Sequence, residues 1–174
     1  MGSFGSASTL AGPVLLPAVP MRTYAQLITE ALPRVREIMP WDLQDQLAGG
    51  TRPLLLDVRE PGEFAQAHIA GALNAPRGVL EASCDWGYDE TMPAVASARQ
   101  RPVVVICRSG NRSILAADVL QQMGYTDVVS LKTGVRGWND FEQPLVDDLG
   151  QPVDADTAQS LLANRIRPDQ LGPR

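Results

Sequence analysis

Three short, unbroken apolar runs punctuate the chain: Pro53-Leu54-Leu55-Leu56-Asp57-Val58, Pro102-Val103-Val104-Val105-Ile106 and Asp127-Val128-Val129-Ser130-Leu131. Each is too short for a helix and is bounded by turn-forming residues, as expected of strands buried on both faces of a parallel sheet. Between the runs the period changes. Ile114, Leu115, Ala116, Val119 and Leu120 recur at helical spacing from Ser113 to Met123 and stop before Gly124, a common helix end. Pro61 opens another helix at its first turn, with Glu63 where acidic residues are favoured and Phe64 and Ala67 on one face. His68 to Asn74 reads as a turn and a further short strand. The alternation predicts βα units and an α/β domain.

The flanks add elements without visible chemistry. Thr23 and Gln26 have the spacing of a capping box, and Tyr24, Leu27, Ile28, Ala31 and Leu32 follow at helical spacing before Pro33 interrupts. Glu37-Ile38-Met39 is expected as a short strand, and Pro40 opens a helix that stops at Gly49-Gly50. Residues 75–93 are the least regular, and Ala82 to Met92 is expected as a surface excursion that leaves Cys84 exposed. Thr133 to Trp138 reads as a Gly-flanked helical turn with Trp138 packing back on the core, and a short helix is expected within Asp154 to Ile166. The organisation predicted is a flexible arm over 1–20, an extra helix over 21–34, a domain over 35–146 and a C-terminal extension over 147–174.

At 174 residues there is room for one domain with a substantial core and tails. A net charge of −5 without any block of Lys or Arg argues against nucleic acid or an acidic membrane as partner. No run approaches the roughly 20 apolar residues of a membrane span. Leu10 to Pro20 carries three prolines and no preceding positive charge, which makes a poor secretory signal. Two cysteines, Cys84 and Cys107, and a single histidine, His68, are too few for a disulfide scaffold or a structural zinc site. A reduced, cytoplasmic setting is expected.

The candidate chemistry lies in Cys107-Arg108-Ser109-Gly110-Asn111-Arg112-Ser113, a polar turn entered from an apolar run and followed by a helical stretch. Such a turn sets a cysteine at the carboxyl end of a strand, facing backbone N–H groups that no helical carbonyl satisfies. The helix terminus and the two arginines favour thiolate over thiol. A small apolar residue closing a strand is the competing reading of Cys107, but Gly, Asn and two arginines are poor core neighbours and good parts for an anion cradle. On composition alone, Asp57 and Arg59 read as a strand-end ion pair, His68 as a turn histidine, and Cys84 as incidental rather than a resolving thiol.

Leu56-Asp57-Val58-Arg59-Glu60, Glu63-Phe64, His68-Ile69-x-Gly71-Ala72-x-Asn74, the Cys107 loop and Gly134-x-x-x-Trp138 occur in an order and spacing that resemble a single-domain rhodanese from about Arg36 to Val146. The resemblance implies a three-layer sandwich, with a central, mostly parallel sheet of about five strands and helices on both faces. It also implies a sulfurtransferase whose Cys107 carries sulfane sulfur as a persulfide, held by the loop from Arg108 to Ser113 and supported by Asp57, Arg59 and His68, with no metal or organic cofactor. The donors expected are thiosulfate or a persulfide such as glutathione persulfide. The acceptor expected is a thiol, including that of a sulfur-carrier protein, and the protein is expected as a monomer or homodimer.

Two alternatives stay open. One is a non-catalytic rhodanese-like binding or regulatory module. The other is a cysteine phosphatase or arsenate reductase, since dual-specificity phosphatases of the same fold carry a loop one residue longer; here Arg112 is the fifth residue after Cys107 and Ser113 the sixth. Thiosulfate-using two-domain relatives resemble Cys-Arg-Lys-Gly-x-Thr and place an arginine six residues after the aspartate, positions held here by Ser109 and Glu63. Weak affinity for thiosulfate is therefore expected, with Arg59, Arg108 and Arg112 as the cations available to offset the loss.

Overall fold

In the computed structural model, which describes residues 20–172, the apolar runs become the inner strands of a single parallel sheet. Along the chain, α1 (Tyr24–Ala31) precedes β1 (Arg36–Ile38), α2 (Pro40–Ala48), β2 (Leu54–Asp57), α3 (Pro61–Gln66) and β3 (Leu73–Asn74). Then come α4 (Leu80–Ser83), α5 (Pro93–Ala96), β4 (Pro102–Ile106), α6 (Asn111–Gln122), β5 (Asp127–Leu131) and α7 (Gly134–Asp140). A hairpin of β6 (Leu145–Val146) and β7 (Pro152–Val153) leads into α8 (Ala155–Leu162). The five-stranded sheet has the order β1-β5-β4-β2-β3, and every pair in it is parallel. The arm expected over residues 1–20 lies outside the described residues apart from Pro20.

Successive strand residues point to opposite faces, so each inner strand feeds two cores. Leu54, Leu56, Val103, Val105 and Val128 join Ala31, Leu80, Val95, Ala117 and Leu120 on one side. Leu55, Val104, Ile106 and Leu131 join Leu43, Val135, Trp138, Ala158 and Leu162 on the other. This is why the β2 and β4 runs carry no polar alternation: neither face of those strands meets water. The C-terminal extension belongs to the second core through Ala158 and Leu162, and the Asn139 side chain donates to the Ala155 carbonyl at 3.1 Å.

The irregular stretch after β3 departs from expectation. A 3-10 turn at Arg77–Val79 runs into α4, and α5 follows after a bend. Leu80 and Cys84, four residues apart, face the same way, and both are fully buried with Val95 and Ala98. Cys84 is therefore not exposed. Helices of one turn are too short to display a period in sequence, which is why this core face reads as an excursion.

Candidate active site

β4 runs between β2 and β5, and its carboxyl end delivers Cys107 to the crevice outside the sheet, where ligands of open α/β folds bind. The next residues turn tightly into α6. The Gly110 N–H donates to Cys107 Sγ at 3.2 Å, and the Ser113 hydroxyl lies 3.4 Å from the same sulfur. Ser113 Oγ is itself placed by the Gly110 carbonyl and by Ser130 Oγ, each at 2.8 Å. Gly110 has φ 96°, a left-handed conformation that side chains disfavour, and a Cβ there would press to 3.2 Å from the Thr133 nitrogen.

The other side of the turn is tied to α7. Val135 and Arg136, at the start of that helix, donate their N–H groups to the Cys107 and Arg108 carbonyls at 2.9 and 3.0 Å. These are helix-terminal donors that would otherwise lack partners. Because a trans peptide sets C=O and N–H in opposite directions, the N–H groups of Arg108 and Ser109 point away from α7. Gly134 makes the approach possible, since a Cβ there would collide with the Cys107 carbonyl. The Gly134-x-x-x-Trp138 motif is thus the mount of the loop, with Trp138 anchored in the second core and its indole N–H on the Pro144 carbonyl.

Asp57, Arg59 and His68 form the frame beside the turn. Arg59 and Asp57 are 1% and 0% exposed, and the guanidinium grips the carboxylate through Nε and Nη2. Its remaining donors go to the Ala67 and Glu63 carbonyls, while Asn74 donates to the Asp57 and Arg59 carbonyls. The knot joins the ends of β2, α3 and β3, and removing one member of such a buried pair costs about 3–5 kcal/mol. Arg59 is accordingly spent on the protein and is not a cation available to a substrate, contrary to expectation. His68 stacks on Phe64 with ring centroids 3.8 Å apart, its Nδ1 lies 2.9 Å from the Phe64 carbonyl, and its backbone pairs with Val146.

The loop side chains divide in their roles. Ser113 stands beside the sulfur, whereas Ser109 and Asn111 are exposed and make no side-chain hydrogen bond within the described residues. Arg112 does not turn into the cradle: it donates to both Glu63 carboxylate oxygens at 2.7 and 2.8 Å. Hydrogen bonding from Arg112 holds the Glu63 carboxyl below its ordinary range, against the opposing effect of burial. The Glu63 carboxylate thus neutralises the cation that the loop sequence offers at Arg112. Arg108 Nε is buried without a partner.

Sequence reasoning found no chemistry in the first helix, and the structure brings Tyr24 to the site. α1 lies along α6: Ile28 and Ala31 pack into the same core as Ile114 and Ala117, and Arg34 holds Asp118 through two bonds of 2.7 and 2.9 Å. Thr23 caps α1 ahead of Tyr24, which is half-exposed. Its phenol is pushed up first by burial and then by negative charge on Cys107, and is drawn down by Arg112 and Arg108. No local sequence signal marks this neighbourhood, because it depends on two helices distant in sequence.

Comparison with known proteins agrees with this geometry. Residues 40–141 match the rhodanese-like domain family. A protein of Allochromatium vinosum named sulfurtransferase is 35% identical over 112 residues, covering 64% of this chain and 95% of its own. Thiosulfate sulfurtransferase 16, chloroplastic, of Arabidopsis thaliana is 36% identical over 96 residues, covering 54% of this chain and 78% of its own. Among solved structures, a Rhodopseudomonas palustris protein of unknown function, described as a possible tyrosine phosphatase, superposes with a TM-score of 0.66 at 26% identity, covering 75% of this chain and 98% of that one. The chain belongs to the rhodanese-like domain family.

Proposed function

We propose that the protein is a sulfurtransferase that carries sulfane sulfur on Cys107. The observation that carries this reading is the short cradle around Sγ, in which the Gly110 N–H already donates to the sulfur and no side-chain cation occupies the centre. The Cys107 thiolate attacks the outer sulfur of a donor. The donor's S–S bond breaks and its inner sulfur leaves with the electron pair, as sulfite from thiosulfate or as a thiolate from a persulfide. The anionic terminal sulfur of the resulting persulfide is held by backbone N–H groups of the loop. A thiolate acceptor, on a small molecule or a sulfur-carrier protein, then attacks that sulfur and restores the Cys107 thiolate.

With Arg59 buried on Asp57 and Arg112 paired with Glu63, Arg108 alone of the three loop-side arginines is left to meet the sulfonate end of thiosulfate, and a persulfide donor fits this site better. Intact-mass measurement after incubation with each donor tests the reading. One added sulfur atom that maps to Cys107 is the expected result, and no adduct with any donor would favour a binding module. The name of the Rhodopseudomonas palustris protein raises a second reading, a phosphatase. Arg112 is engaged outside the loop, and hydrolysis of a phosphoaryl ester that depends on Cys107 would be needed to promote it.

A further inference from the structure

Beside the cysteine turn lies an open cleft of about 450 Å³, within the range of small-molecule sites. Its lining joins Arg108, the residue after Cys107, and Gln66 to the segment that follows α8, which supplies Asn164, Arg165 and Gln170, while Leu161 and Ile166 give an apolar surface. This segment lies outside the family-matched residues 40–141.

Within a chain of net charge −5, no acidic residue lines the cleft, and among the described residues neither Arg108 nor Arg165 takes part in an ion pair. Arg165 makes one bond, to the Ser160 carbonyl, and Arg108 Nε is buried with no partner. Two planar guanidinium groups free of carboxylates suit bidentate recognition of a carboxylate. The amide side chains of Gln66, Asn164 and Gln170 can donate to and accept from amide bonds.

We propose that this cleft binds the carboxylate-bearing, peptide-like arm of a low-molecular-weight thiol, so that the C-terminal extension selects the sulfur donor. Arg108 and Arg165 hold the carboxylate, the three amides read the peptide bonds, and the sulfur end of the ligand is directed to the loop. The use of the cleft for a donor rests on the sulfur-transfer reading above, whereas binding of the thiol's organic arm does not.

Calorimetric titration with S-methylglutathione, a thioether that cannot transfer sulfur, tests the cleft directly. The wild-type protein is expected to bind it saturably, Arg165→Ala to weaken binding about tenfold, as for loss of one charge-assisted contact, and the ligand's dimethyl ester to bind as weakly to the wild type. Arg101→Ala, an exposed arginine elsewhere, is the control and is expected to bind as the wild type does. No binding by the wild type, equal binding by Arg165→Ala, or an equal loss in Arg101→Ala would overturn the cleft. If binding follows Arg165 but glutathione persulfide leaves no sulfur on Cys107, the sulfur-transfer reading fails while the cleft stands.

Discussion

The two cysteines of this protein are almost equally hidden from solvent and sit in the same apolar cluster, yet their surroundings differ in kind. Cys84 ends a one-turn helix against Leu80 and Val95, and burial pushes its thiol up. Cys107 follows the central strand, where the Gly110 N–H donates to its sulfur and the Ser113 oxygen, whose hydroxyl donates to the Gly110 carbonyl, lies 3.4 Å away. Burial alone therefore does not tell the two cysteines apart. What differs is the polar neighbour at the sulfur: a backbone N–H of the turn for Cys107, the Tyr125 side chain for Cys84.

Replacing each cysteine gives the largest expected contrast. Cys107→Ser should abolish the sulfur adduct in intact-mass measurement, whereas Cys84→Ser should retain it; an adduct that survives Cys107→Ser would break the comparison. Stability should move the other way. A hydroxyl at the buried Cys84 site, among Leu80, Val95 and Ala98, costs about 1–3 kcal/mol of unfolding free energy by denaturant titration, and Cys84→Ala should recover most of that loss.

Smaller changes sharpen what surrounds Cys107. Glu63→Gln frees Arg112 from its carboxylate and should raise kcat/KM for thiosulfate about fivefold, the size of one partly exposed ion pair, while Arg112→Ala should lower it by a similar factor. Equal rates in all three proteins would remove the Arg112–Glu63 pair from substrate selection. The smallest effect is on stability against pH. The folded Glu63 carboxyl lies below its ordinary value of 4.5, so the pair's contribution is fully present above that pH and is lost as pH falls through the lower folded value. The difference in unfolding free energy between wild type and Glu63→Gln should be about 0.5 kcal/mol near neutrality and should vanish in acid.

Much of this was legible before the structure. The inner strands and α6 announce themselves because two-sided burial leaves apolar runs and a long helix repeats its period three times. The Cys107 turn is legible because its unusual mixture of Gly, Asn and Arg is contiguous. Asp57 and Arg59 read as a pair, but the depth of their burial did not, since it depends on the Ala67 carbonyl and the covering α3. Arg112 and Glu63 lie 49 residues apart, and their pairing could not be read from the loop.

The order of apolar runs, the cysteine turn and the glycines that mount it were determined by local sequence, because each depends on neighbours within a few residues and on backbone conformations that only certain residues adopt. The tertiary structure alone decided that Cys84 is buried, that Arg59 and Arg112 are already paired, that α1 packs along α6 and that Arg165 and Arg108 line one cleft. Each of these is a meeting of segments distant in the chain, fixed by how two apolar cores close on the sheet, and no local pattern encodes which side chains such closure brings together.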